Sequence, residues 1–249
     1  MGIGLEKINI NDIEIIGQID QGSYSKVFEV LFNEEKYAFK CFSNEIDGKF
    51  LINKYKELNS LDLKKAVIPN IYVEDGILNG FLMKLYNHRC FSYLYEFPTD
   101  NKILALKEGK RALLEAHSRE IIHGDIHPGN FLLQNSFLTD FDNSSFKNFN
   151  INFELCSAEA LNFLTTYKLS KDLDIYLFNF MTFSLLNNCD YNYVESNICD
   201  KKYGIFISKD AIKICKSLLL QDKIFNSDFL IDTITFDNTK IKSKKIGRA

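Results

Sequence analysis

The N-terminal part of the chain carries short apolar runs of strand length, broken by turn-forming residues. Ile13 to Ile19 reads as a strand, Val27 to Phe32 as its hairpin partner, and Tyr37 to Lys40 as a third strand. The spacing then changes. From Asp47 to Leu61 the positions Phe50, Lys54, Leu58 and Leu61 fall on one face of a helix. Ile71 to Glu74 and Gly80 to Lys84 return to strand patterning, joined by Asp-Gly and Asn-Gly turn signals. Beyond these the pattern is mainly helical. Asn101 to Ser118 is expected as a helix with Ile103, Leu104, Leu106, Leu113 and Leu114 in the core. Two apolar strands, Phe131 to Leu133 and Leu138 to Asp142, interrupt it. The run from Ile175 to Leu186 is too short to span a bilayer. Ser208 to Leu220 forms an amphipathic pattern with Ser208 as cap, and Asn226 to Ile234 follows. The expected class is α+β, sheet first and helices after.

Length and composition narrow the field. The 249 residues suffice for one large domain or two small lobes around a cleft. A hydrophobic share of 46% and a charged share of 25% suit a water-soluble globular protein. A net charge of −3 gives no broad nucleic-acid footprint. Six cysteines without a Cys-x-x-Cys pair, and four scattered histidines, argue for reduced thiols and against a zinc site. The N-terminus has no basic region followed by an apolar one, so no signal peptide is expected. Lys240 to Arg248 is a basic tail.

The chemistry concentrates in His123-Gly124-Asp125-Ile126-His127-Pro128-Gly129-Asn130. Eight residues bring together two imidazoles, an acid and an amide. Asp140-Phe141-Asp142 follows at the end of the next apolar run. An acid, an amide five residues on and a second acid beyond a short hairpin suit phosphoryl transfer. The first acid orients a hydroxyl, while the amide and second acid hold Mg²⁺ against phosphate oxygens.

The eight-residue stretch resembles the catalytic loop of the protein-kinase-like superfamily, His-Arg-Asp-x-x-x-x-Asn. Asp140-Phe141-Asp142 is similar to the metal-binding Asp-Phe-Gly. Asp20 to Val27 resembles the glycine-rich loop with only Gly22 retained, and Tyr37-Ala38-Phe39-Lys40 resembles Val-Ala-Ile-Lys. Ser157 to Leu161 resembles the Ala-Pro-Glu region, with Glu159 as its acid, and Asp172 to Asn179 looks like the start of the central helix, with Asp174 bonding the catalytic-loop backbone. The resemblance covers about residues 12 to 235, six motifs in order. It implies a single kinase domain over 1–249: an antiparallel-sheet lobe over about 12–86, a helical lobe over about 87–235, and a tail over 236–249.

The resemblance also implies roles. Asp125 is the catalytic base and Lys40 the phosphate-binding lysine; Asn130 and Asp140 are the Mg²⁺ ligands. Gly22, Tyr24, Val27, Ala38, Met83 and Leu132 join Lys40 around ATP, with Lys84 to Arg89 as the hinge. His123 packs as structural support. His127 either touches the γ-phosphate or is held structurally. One departure is plain: where kinases carry the helix glutamate that pairs with the strand lysine, this chain has Lys54, leaving Glu57 or Glu45 as candidate partners. Gly124 replaces the arginine that receives a loop phosphate, so either constitutive activity or activation by a protein partner is expected. The implied reaction is transfer of the ATP γ-phosphate to a protein hydroxyl, Ser/Thr ahead of Tyr. The alternatives are a small-molecule or lipid kinase of the aminoglycoside or choline-kinase type, and a catalytically dead binding module. A cytoplasmic setting is expected, or a host cytosol for a secreted effector.

Overall fold

The computed structural model describes residues 5–22, 25–42, 47–86, 89–153 and 156–187. Tyr24, Glu45, part of the expected hinge, the helix expected over Ser208 to Leu220, the segment after it and the basic tail lie outside these residues. The architecture is mixed α+β: a six-stranded sheet comes first and helices follow.

The strands are β1 (Glu6–Ile8), β2 (Glu14–Gln21), β3 (Ser25–Phe32), β4 (Glu35–Phe42), β5 (Ile71–Asp75) and β6 (Ile77–Lys84). Their order in the sheet is β1-β5-β6-β4-β3-β2. All neighbours pair antiparallel except β1, which runs parallel to β5. β1 was not foreseen, because three residues are too few to show a period. Register places Val27 opposite Lys40, Lys40 opposite Phe81, and Ala38 opposite Met83. Side chains alternate along a strand, so these five share one face. The other face buries Val30, Phe39, Ile71, Val73 and Leu82 with Ile8 as a small separate core, with Ile10 and Ile13 packed against it.

Helix α1 (Gly48–Ser60) crosses between β4 and β5. Asp47 caps it by accepting from the Phe50 amide, at 3.0 Å. Its buried stripe is Leu51, Lys54, Tyr55 and Leu58, an i, i+3, i+4, i+7 set. Phe50 therefore lies off the expected face; it is exposed, meets Phe149 edge-on and has the Lys54 ammonium 5.8 Å from its ring centroid. Tyr55 packs on Phe81 with ring centroids 4.8 Å apart, which seats α1 against the Lys40 face of the sheet.

Helix α2 (Thr99–Ser118) buries Leu106, Gly109, Leu113, Ala116 and His117. Leu104 and Leu114, expected in the core, are 64% and 45% exposed. They sit on turns of the helix well away from that stripe, and the period alone did not say which of two neighbouring leucines points inward. The strands expected over Phe131 to Leu133 and Leu138 to Asp142 reduce to single bridges, Phe131 with Leu138 and Cys90 with Leu132. Helices α3 (Ala158–Thr166) and α4 (Lys171–Asn187) complete the described residues, and the apolar run of α4 is core rather than membrane span. Among the described residues no helix is long and apolar enough to cross a membrane.

Gly80 tests the sheet. A Cβ there would stand 2.0 Å from the Lys40 carbonyl oxygen and 2.8 Å from the Phe39 ring. Gly80→Ala should cost about 1–3 kcal/mol in urea unfolding, the range for overpacking. Gly17→Ala, with open space around its Cβ, should stay within about 0.5 kcal/mol. Equal stability of the two variants would contradict the close approach of β4 and β6.

Candidate functional site

The loop from His123 to Asn130 is held from below by Asp174, near the start of α4. Its carboxylate is fully buried and accepts from the amides of His123 and Gly124, both at 2.7 Å. It also meets His117 Nε2 at 2.9 Å. Gly124 turns with φ +80°, and an added Cβ would lie 2.6 Å from Ile151 Cδ1. The glycine in place of arginine is thus a steric requirement of this loop.

Asp125 faces Asn130 and His127. Asn130 Nδ2 donates to the Asp125 carbonyl at 2.8 Å and to its Oδ2 at 3.0 Å. His127 Nε2 stands 3.5 Å from the same Oδ2. Burial pushes the Asp125 carboxyl up, but His127, His123 and the Asn130 bond outweigh it and hold the group below the usual carboxylate range. Asp125 is therefore an ionised acceptor at neutral pH. His127 Nδ1 accepts from the Gly129 amide at 3.0 Å, capping the turn over Pro128–Asn130. That bond leaves its proton on Nε2, toward Asp125. His123 accepts from the Asp125 amide on Nδ1 and donates from Nε2 to the Thr139 carbonyl at 2.9 Å. It serves as the expected structural support, stacked edge-on over Phe141.

Thr139 donates its amide to the Asn130 carbonyl at 3.0 Å, which ties the loop to Asp140. Asp140 sits at φ +63°, a strained position that Asp tolerates better than most residues. Its Oδ1 lies 2.6 Å from Lys40 Nζ. Asp142 Oδ2 lies 2.7 Å from the same nitrogen. Lys40 is 8% exposed. Burial alone would lower its pKa, but the two carboxylates more than reverse this and hold the ammonium above its ordinary range.

Asp142 is the residue that sequence reasoning missed. In the comparison of Asp140-Phe141-Asp142 with Asp-Phe-Gly it stands at the glycine position, which assigns it no role. Its carboxylate also accepts from the Tyr55 hydroxyl, and its carbonyl accepts from Lys54 Nζ at 2.6 Å. Glu57, one of the two proposed partners of Lys40, instead pairs with Lys147 near the surface. Position on the helix explains this, since Glu57 lies off the buried stripe by about one residue's turn of 100°. A hint lay in the sequence: Lys54 on the buried face demands a nearby acid or carbonyl.

The remaining expected residues are placed as follows. Val27, Ala38 and Met83 share the sheet face of Lys40, with Ala38 buried and the other two half-buried. Gly22 is exposed at the end of β2, its amide donating to the Ser25 carbonyl at 2.8 Å. Leu132 is half-buried and bridges to Cys90. Asp140 and Asn130 offer hard oxygen donors, of the kind Mg²⁺ takes alongside phosphate and water. The bonds of the Asn130 side chain run from its nitrogen, which leaves the oxygen for a cation. Among the described residues no three His, Cys, Asp or Glu side chains form a cluster around one ion. No protein-family model matches the chain, and no curated protein matches it in sequence.

Lys54 generates a pH prediction. Burial lowers its pKa from 10.5 to about 8, with Asp142 and Asp140 opposing. Between pH 8 and 10 the unfolded chain keeps a proton that the folded chain has released, so this group makes stability rise with pH. The buried thiols of Cys41 and Cys156 and the Tyr55 phenol, all raised, act in the opposite sense in both proteins compared. Wild type should gain about 2 kcal/mol over Lys54→Met across that window in denaturant titrations. Parallel pH profiles would show that Lys54 titrates normally.

Proposed function

We propose that the chain is a Mg²⁺- and ATP-dependent phosphotransferase of protein-kinase-like fold, acting on a protein hydroxyl, Ser/Thr ahead of Tyr. One observation carries the reading: Asp125 bonded to Asn130, linked through Thr139 to Asp140, with Asp140 ion-paired to Lys40 on the sheet. Support comes from the antiparallel strands β2 to β6 with one helix between β4 and β5 and helices after, the coarse arrangement that the resemblance implies. The resemblance of Ser157 to Leu161 to the Ala-Pro-Glu region, and of Asp172 to Asn179 to the start of the central helix, puts the protein-kinase version ahead of small-molecule kinases.

On this reading Asp125 accepts the proton of the substrate hydroxyl as its oxygen attacks the γ-phosphorus. The new O–P bond forms as the bond to the bridging β–γ oxygen breaks, and ADP leaves with that electron pair. Bound Mg²⁺-ATP supplies the phosphoryl group and a cation that offsets its charge. Asn130 and Asp140 hold that cation, and Lys40 neutralises phosphate oxygens. Val27, Ala38 and Met83 offer an apolar face for the base beside it. His127, with Nδ1 committed to the turn, orients Asp125 through Nε2.

The test is incubation with labelled ATP and Mg²⁺, alone and with cell lysate, followed by gel separation. Labelled protein is expected. Asp125→Asn should cut turnover by about 10²–10⁴ while nucleotide binding persists. Asp140→Ala should also weaken Mg²⁺-dependent binding. A labelled metabolite in place of protein would move the substrate class, and wild-type turnover in Asp125→Asn would overturn the assignment.

A further inference from the structure

The kinase reading leaves one gap. A lysine that must hold phosphates needs a carboxylate to fix it, and α1 offers a lysine where that acid is expected. Glu57 is turned toward Lys147. We infer that Asp142 is the positioning residue for Lys40, and that Lys54 is present to compensate the second acid: the acid has moved from the helix to the loop and a cation has moved from nowhere into the helix.

Three observations carry this. Asp142 divides its two carboxylate oxygens between two elements, Oδ2 to Lys40 on β4 and Oδ1 to Tyr55 on α1. Its side chain has only 16% of its surface in solvent, against 35% for Asp140. Asp140 thus stays open enough to reach a cation, while Asp142 is enclosed by protein partners. Third, Lys54 reaches the Asp142 carbonyl from the helix, completing a set of two acids and two lysines. A glutamate at position 54 beside Asp140 and Asp142 would leave three acids against one lysine, and uncompensated charge of one sign is costly in a partly enclosed site. The exchange is therefore coupled: an acid at 142 requires a cation, or at least no acid, at 54. It also changes what holds α1. The helix is latched to the loop after Phe141 through Lys54 and Tyr55.

This inference rests on the phosphotransfer reading for its purpose, but its test does not need turnover. The nucleotide-free protein is treated with acetic anhydride, and the rate of Lys40 acetylation is followed by peptide mass spectrometry. Asp142→Asn keeps the shape, an acceptor for Tyr55 and the carbonyl for Lys54, so it should fold. It should raise the Lys40 rate by about tenfold or more, as expected when an ammonium loses a paired charge and its pKa falls by a unit. Asp142→Gly should do the same. The double variant Lys54→Glu with Asp142→Gly, which rebuilds a helix acid, should return the rate to within about threefold of wild type, whereas Lys54→Glu alone should be the least stable of the set. Phosphotransfer is measured in parallel. Where the wild type transfers phosphate, kcat/KM should fall in Asp142→Asn at unchanged Mg²⁺ requirement and recover in the double variant. An unchanged Lys40 rate in Asp142→Asn overturns the inference. So does an unchanged Lys40 rate with a raised Mg²⁺ requirement, which would make Asp142 a metal ligand instead. A wild type that transfers nothing, with Lys40 protection still dependent on Asp142, overturns the kinase reading alone.

Discussion

Two lysines and two aspartates meet where the sheet, α1 and the segment after Thr139 converge, and the placement of those three elements depends on their balance. Lys40 comes from β4, Lys54 from α1, and Asp140 and Asp142 from one turn of loop. No pair among them is self-sufficient. Lys40 is driven toward neutrality by burial and kept charged by both acids. Asp142 is pushed toward protonation by burial and kept ionised by Lys40, Tyr55 and Lys54. Removing one partner of such a set strands the others in a low-dielectric interior, where an unpaired charge costs far more than the pair ever contributed. The cluster is thus better understood as a device for register than as a source of stability. It admits one mutual arrangement of strand, helix and loop.

The second fixed point is Asp174. It orders the backbone that carries Asp125 and Asn130. By accepting from His123 and Gly124 it compels the left-handed turn at Gly124, and that turn aims Asp125 at Asn130. His123 then carries the order onward through its two ring nitrogens, one to the Asp125 amide and one to the Thr139 carbonyl. The two clusters are joined through Thr139, so hydrogen bonds tie the loop acid to the segment that carries the acids at 140 and 142.

What could be read from the sequence follows from the range of the forces involved. Strand patterning, the α1 and α2 spans, and the eight-residue loop rest on neighbours in the chain, and these are local enough to be legible. The structural roles of His123 and Asp174 were foreseen because the loop has a recognisable spacing. The partner of Lys40 was not foreseen. Asp142 lies far from Lys40 in sequence, and its identity follows from where α1 and the loop meet in space. The same holds for Leu104 and Leu114, which share the period of α2 but not its buried side. A three-residue parallel strand such as β1 exists only because the edge of β5 is there to pair with it.

The segment after Asp142 bears on how the site is kept ready. In the resemblance, an arginine before the catalytic acid gathers a phosphate and so orders this stretch. Here Ile151 occupies the space a side chain at Gly124 would need. The stretch is instead packed from within. Ser144 is fully buried and donates to the Phe141 carbonyl, and Ser145 donates to the Phe149 carbonyl. Asn143 holds the Asn152 amide, and Ser157 caps α3. Phe146 and Ile151 are buried beneath. The hydroxyls of Ser144, Ser145 and Ser157 are already spent on the backbone, and a phosphate at the fully buried Ser144 would carry a charge into the core. On the kinase reading, order in this stretch comes from its own packing against Gly124, so the entropy that a regulatory phosphate would otherwise offset has already been met by folding.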